Sequence, residues 1–398
     1  MRQTSLPAAV PAAVPAAVPV AVLVAVLVPV LAAAAGCSPA VPASSARTAG
    51  PCDPGPCAPG ASGVPGTDGP GRGPRDPMPP VSGRPLPPGS GLRLLVTGDS
   101  GAFRFDVDSR VRTELRGLPD GRPAWSFTAG TRELVVTTPA DPSAEGRLFL
   151  LSGDRARPLG GAVSSAFAAA DGKGVWVLQR ARGDDGCRLR PLDFRGRERG
   201  PVLPIACSRA PAQDTPQGLL SYAAQERARL LDRTTGEEVF AEERVHAVTR
   251  DLVLVSRASR LSLVEPAAGR RTPLPSPVTG GSPSTAEVSP DGRLIALWFA
   301  DPAWPGPRQY LDVQVLDVRA RTWTRLPSMP VPASLKSTAM AWSRDGRLVL
   351  TGDFVTTDRV MPAETDYAGF VAAWRPGEPR LSLRRLTLPP RHQARLVP

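Results

Sequence analysis

The run VTGDSGAF, residues 96–103, holds a serine between an aspartate and a glycine. A serine so placed can attack a carbonyl carbon only if a base takes its proton and paired donors hold the resulting oxyanion. The chain has two histidines, His246 and His392, and both follow Ser100. The same letters return without the serine: LLVTGDSG aligns with LVLTGDFV, so Thr97-Gly98-Asp99 matches Thr351-Gly352-Asp353, and Phe354 stands where a nucleophile would. A segment that recurs without its reactive atom has a structural role. It reads as a turn at the end of a strand, and no catalytic residue is assigned.

Other chemistry is equally sparse. No G-x-S-x-G elbow, H-E-x-x-H helix or phosphate-binding loop occurs, and the Gly-Pro run at 69–73 has no strand beside it. His246, in RVHAVTRDL, reads as a packed neutral imidazole, and His392 belongs to the C-terminal tail. No cofactor is expected. Of the five cysteines, Cys187 and Cys207 flank a stretch whose midpoint, Arg197, adjoins a turn at Gly196. A hairpin there brings the two sulfurs together, and the closed loop stabilises by about 3 kcal/mol. Cys52 and Cys57, in CDPGPC, could close a small loop or form a metal pair. Two prolines in the spacer and no nearby histidine favour the disulfide over a metal site.

The elements that would position any site come in three parts. Residues 1–36 carry Arg2 and then a long run almost free of polar side chains, the pattern of an export signal. Ala34-Ala35-Gly36-Cys37 resembles a bacterial lipobox, departing from it where Ala34 stands in place of the usual leucine. That resemblance implies lipidation of Cys37, which leaves four cysteines for an oxidising compartment. Residues 37–91 are Pro, Gly, Ala and Ser with few large apolar side chains, a composition that reads as a disordered tether. The formal charge of +11 is spread singly, with only Lys173 and Lys336 as lysines. The excess of arginine fits a GC-rich coding bias better than a nucleic-acid footprint.

From residue 92 to 398 the chain repeats. Seven apolar runs begin LRLLVTGD, RELVVTT, GVWVLQR, GLLSYAA, LVLVSR, RLIALWF and RLVLTGD, and each is followed by a hairpin. Ahead of most lies a short stretch ending in a tight turn, as in AFAAADG, AEVSPDG and AWSRDG. Four strands in each of seven repeats predict an all-β fold, a seven-bladed β-propeller. The fourth repeat is the least regular, since AAQERARLLDRTTGEEVFAEER also suits a helix. The first repeat lacks its leading strand, which RHQARLVP at the C-terminus is expected to supply, removing a sheet edge.

VSPDGRLIALWF and WSRDGRLVLTGD resemble the WD40-like repeats of TolB-type envelope propellers, here in a lipoprotein of an actinobacterial-type, GC-rich bacterium. The resemblance spans residues 92–389 as an architecture and implies a binding module without catalysis. Its expected place is the outer face of the cell membrane, held there by the lipid anchor. The implied partner is an envelope protein or a cell-wall glycan rather than nucleic acid, and the chain is expected to be a monomer. A secreted glycan hydrolase or lyase is the alternative. Long second-to-third-strand loops in blades 6 and 7 carry Asp301, Trp304, Arg308, Tyr310, Asp358, Arg359, Glu364, Asp366 and Tyr367. Aromatics among charges of both signs make that face the candidate binding surface.

Overall fold

Each of the seven apolar runs forms the second strand of a four-stranded antiparallel sheet. In Arg93–Gly98, Gly174–Arg180 and Val253–Arg257 successive residues are buried on both faces, which is why these runs lack the alternation of a half-wetted strand. The computed structural model describes residues 82–98, 101–119, 122–138, 145–181, 186–222, 227–277, 282–300, 309–333, 339–355, 367–387 and 393–397. All belong to the second of the chain's two units, Arg72–Pro398. They form a seven-bladed β-propeller, with no α-helix among the described residues.

The first strands are Gln393–Val397, Arg122–Ala129, Ser165–Ala168, Pro211–Thr215, Arg244–Val248, Ser282–Val288 and Ala339–Trp342, belonging to blades 1 to 7 in turn. They line the axis. Blade 1 takes its first strand from the C-terminus: Arg93 to Thr97 pair antiparallel with Val397 to Gln393. Thr351 of blade 7 donates its hydroxyl to the Ala394 carbonyl at 2.7 Å, fastening that strand from the other side. The fourth repeat is β-structure, with strands Ala228–Leu231 and Glu238–Glu242.

The core is divided into seven apolar clusters, one between each pair of neighbouring blades. The largest lies between blades 6 and 7 and includes Trp298, Val313, Leu350, Phe370 and Trp374. The smallest lies between blades 1 and 2 and buries only Leu95, Val135, Leu151 and Val397 fully. Polar links reinforce that thin seam. The Arg104 guanidinium meets Glu133 at 2.6 Å, with both side chains largely buried, and it also donates to the Gly153 carbonyl. Beside it, the Arg116 backbone donates to the Asp154 carbonyl and accepts the Ala156 amide, both at 2.7 Å.

Three features were not anticipated. Arg84–Pro85, read as tether, adds a parallel strand to the outer edge of blade 7, and Leu86 is buried in the cluster between blades 7 and 1. Ordered packing therefore begins ahead of Leu92. Val331–Ala333, in a Pro-rich connection, pairs with both the third strand of blade 6 and the second strand of blade 7, joining the two sheets. In blades 2, 4, 5 and 6 a register shift near the start of the first strand leaves Ala124, Ala212, His246 and Ser284 outside the ladder pairs. Such bulges re-aim the side chains that follow.

Candidate functional site

The site is assembled from hairpins between first and second strands. In blade 6, Ser289 donates its hydroxyl to Asp291 at 2.6 Å and accepts the Leu294 amide at 2.9 Å, while Gly292 closes the turn at φ +71°. Blade 7 repeats the device: Ser343 donates to Asp345 at 2.5 Å and accepts the Arg347 amide at 3.0 Å. The Ser-x-Asp-Gly motif of these two blades is thus a side-chain-locked turn whose glycine supplies the positive φ. Thr249 in blade 5 locks a shorter version by exchanging bonds with the Leu252 backbone at 3.1 Å.

Turns between third and fourth strands emerge on the same face, and aspartates brace them. Asp193 accepts the Arg195 and Arg197 amides at 2.8 and 2.9 Å, and Asp317 accepts those of Arg319 and Ala320 at 3.0 and 2.9 Å. These backbone donors favour the ionised carboxylate and hold both groups below the ordinary carboxylate range.

Between the hairpins of blades 3 to 6 lies a groove of about 1080 Å³. Its floor is pinned by Asp214, whose side chain is 4% exposed. One oxygen accepts the Trp176 indole and the Ala170 amide, both at 2.9 Å, tying blade 4 to blade 3. The other accepts Arg233 Nε at 2.7 Å. Higher up, Arg199 grips Asp171 through two bonds of 3.1 and 2.6 Å, and this pairing draws the Asp171 carboxyl down to about 2. Asp291 is held down by the Ser289 hydroxyl and then by the Arg293 amide, and Arg293 reaches Asp317 at 2.9 Å.

Two guanidinium groups on this lining, Arg250 and Arg319, are exposed and have no side-chain partner among the described residues. Asp251 is the one lining carboxylate in the same condition. The groove therefore offers a small surplus of unpaired positive charge, between walls whose other ions are already matched.

Sequence reasoning placed the binding surface on the opposite face. Asp301, Trp304, Arg308, Asp358, Arg359, Glu364 and Asp366 lie outside the described residues. Of Tyr310 and Tyr367 the backbone is described: Tyr310 pairs with Pro332 and Tyr367 with Val355. The blade 7 loop is shorter than expected, since Asp353 to Val355 and Tyr367 to Gly369 are ladder pairs. Gly352 likewise sits within a strand, opposite Phe370. Its counterpart Gly98 pairs with Gly101, so only two residues, Asp99 and Ser100, separate the strands of blade 1. In blade 7 the motif is therefore strand rather than turn, and Asp99 and Ser100 of blade 1 lie outside the described residues.

Cys187, in the third strand of blade 3, forms a disulfide with Cys207, which directly follows the fourth strand Leu203–Ala206, and Gly196 at φ +82° lies in the turn between them. Cys37, Cys52 and Cys57 lie outside the described residues. His246 is bonded to Ser256 at 2.8 Å, and burial lowers its pKa to about 4, so it is a packed neutral ring. Among the described residues no group of three or more His, Cys, Asp or Glu could hold a metal ion. No helix among them is long and apolar enough to cross a membrane.

No family model matches the chain, and no curated protein matches it. Solved structures of similar shape include a chain of a mitotic checkpoint complex, 13% identical with TM-score 0.49, covering 76% of this chain and 94% of that one. TolB from Acinetobacter baumannii is 13% identical with TM-score 0.45, over 79% of this chain and 68% of its own. BamB from Moraxella catarrhalis is 13% identical with TM-score 0.40, over 76% and 84%. What this chain binds has to be read from its own residues.

Proposed function

We propose that the chain is an exported β-propeller that binds an acidic segment of another envelope protein in its hairpin-face groove, without catalysing a reaction. In this reading residues 1–36 direct export, a lipid on Cys37 anchors the protein outside the cell membrane, and the stretch from 37 to 81, ahead of the strand at Arg84–Pro85, tethers the propeller as a monomer. The observation that carries the binding proposal is the state of the groove's ions. Asp171, Asp214 and Asp291 are each satisfied within the molecule, whereas Arg250 and Arg319 present open guanidinium forks, which suit carboxylates.

A glycan hydrolase would need a carboxyl that keeps its proton near neutral pH, with a second carboxylate roughly 5–10 Å away. In the groove Asp171 and Asp291 are pulled the wrong way for the first role, and Glu287, whose carboxyl is pushed up, lines a separate cavity with no second carboxylate among the described residues. The test compares the wild-type chain with Arg250→Glu/Arg319→Glu for binding to a polyglutamate peptide at low and moderate salt. The reading expects salt-sensitive binding that the double variant loses. Equal binding by both proteins would refute the groove as the site.

A further inference from the structure

A second cavity, of about 300 Å³, lies on the propeller axis among the first strands. Its polar lining comes from five blades: Ser126 and Thr128 from blade 2, Gln213 from blade 4, Glu287 from blade 6, Thr351 from blade 7, whose hydroxyl is spent on the Ala394 carbonyl, and Arg395 from the closing strand of blade 1. Gln213 and Arg395 are exposed, so the cavity communicates with solvent.

The charges here are not matched. Among the described residues the Glu287 carboxylate has no hydrogen bond or ion pair; it feels Arg395 only at longer range. Arg395, on the facing strand, has no side-chain partner among them either. Ser126 is 3% exposed and its hydroxyl has no hydrogen-bond partner. A buried hydroxyl left in this state is costly. Opposite charges held apart across a small void, beside an unsatisfied hydroxyl, suit a ligand that carries both charges itself.

We infer that the channel binds a small zwitterion of free amino-acid size, its ammonium facing Glu287 and its carboxylate facing Arg395, with Ser126 as a hydrogen-bond partner. The cavity is at the small end of ligand pockets and excludes a protein segment of any bulk, so this site is separate from the groove. Enclosure by protein pushes the Glu287 carboxyl up to about 7 despite Arg395. The strands packed against its own bring Arg244 and His246 from blade 5, His246 being bonded to Ser256, and no titratable side chain from Leu294–Ala300 or Ala339–Trp342. A bound ammonium favours the ionised carboxylate, so binding at pH 6 releases a proton.

The test is isothermal titration of the full chain with glycine and L-alanine, using acetate and methylamine as single-charge probes. Both amino acids are expected to bind at pH 8. At pH 6 they are expected to bind more weakly, with a heat that varies with the buffer's ionisation enthalpy. Glu287→Gln and Arg395→Gln each weaken binding by about ten- to a hundredfold, and Ser126→Ala weakens it less. Melting curves of the variants confirm that they fold, and Glu287→Gln is nearly isosteric. Absence of heat from either amino acid at millimolar concentration overturns the inference. So does equal affinity in Glu287→Gln, or acetate binding as tightly as glycine.

Discussion

The hairpin-face groove and the axial channel use the same side chains in opposite ways. In the groove, arginine and aspartate are paired: Arg199 with Asp171, Arg233 with Asp214, Arg293 with Asp317. These pairs shape a rim and, among the described residues, leave Arg250, Arg319 and Asp251 unmatched. In the channel one carboxylate and one guanidinium face a common void without meeting. The difference follows from backbone geometry. Groove residues sit on turns and strand ends, where long side chains can swing to a partner. Glu287 and Arg395 are fixed on first strands of separate blades, where the ring sets their spacing. A turn settles its own electrostatics locally, while a ring of strands can hold charges apart.

The comparison can be broken in several places. Deleting residues 391–398 removes Arg395 together with the first strand of blade 1. Five ladder pairs are lost, at about 1 kcal/mol each, so stability falls by on the order of 5 kcal/mol and unfolding by heat loses its single sharp transition. An unchanged melting profile would show that the ring does not depend on this closure.

Asp214→Ala leaves Arg233 and the Trp176 indole without their acceptor. Asp214 is buried but Arg233 is 36% exposed, so losing both bonds costs about 2–3 kcal/mol, readable as a shift in urea midpoint. A loss below about 1 kcal/mol would mean that Asp214 is not the pin of the groove floor.

Glu287→Gln should act in the other direction. The folded carboxyl titrates at about 7, above the ordinary 4.5, so ionising it works against the fold as pH rises between those values. The glutamine variant is therefore more stable than wild type at pH 8, by of order 1–3 kcal/mol. The gain fades as pH falls towards 4. A variant less stable at pH 8 would imply a partner for Glu287 that satisfies its charge.

Asp171→Asn is the mildest change. The carboxyl is held at about 2, so its stabilisation is present above the ordinary value and lost as pH drops towards 2. Because the pair is well exposed, the effect at pH 7 stays under about 1 kcal/mol and shrinks further with salt.

Much of the ring was legible in the sequence. Second strands announce themselves because burial on both faces demands unbroken apolar runs such as LVLV at 252–255. Asp-Gly turns mark where first strands end. The disulfide partners were legible because a hairpin turn at Gly196 sets their spacing. The first strands were harder to read in detail, since bulges at Ala124, Ala212, His246 and Ser284 break their alternation. The bridging strand Val331–Ala333 was hidden because it is three residues long and centred on a proline, a residue that argues against a strand paired on both sides.

The groove escaped sequence reasoning for a different reason. It is built from short hairpins of blades 3 to 6 that carry no insertions, whereas the long insertions of the sequence fall between second and third strands in blades 6 and 7. The usable signal was the recurrence of Ser or Thr at the hairpins of blades 4, 5 and 6, at Thr215, Thr249 and Ser289, with arginines at 250 and 293 beside the last two. The channel's charges, Glu287 and Arg395, are far apart in the chain, and only ring closure brings them to one cavity.

Photo-crosslinking tests the binding account most directly. A photoreactive residue at position 250 or 319 should trap the same acidic envelope protein in intact cells, one at exposed Val111 should not, and Arg250→Glu/Arg319→Glu should compete poorly for that protein. Crosslinks from position 111 but not from 250 or 319 would contradict the account.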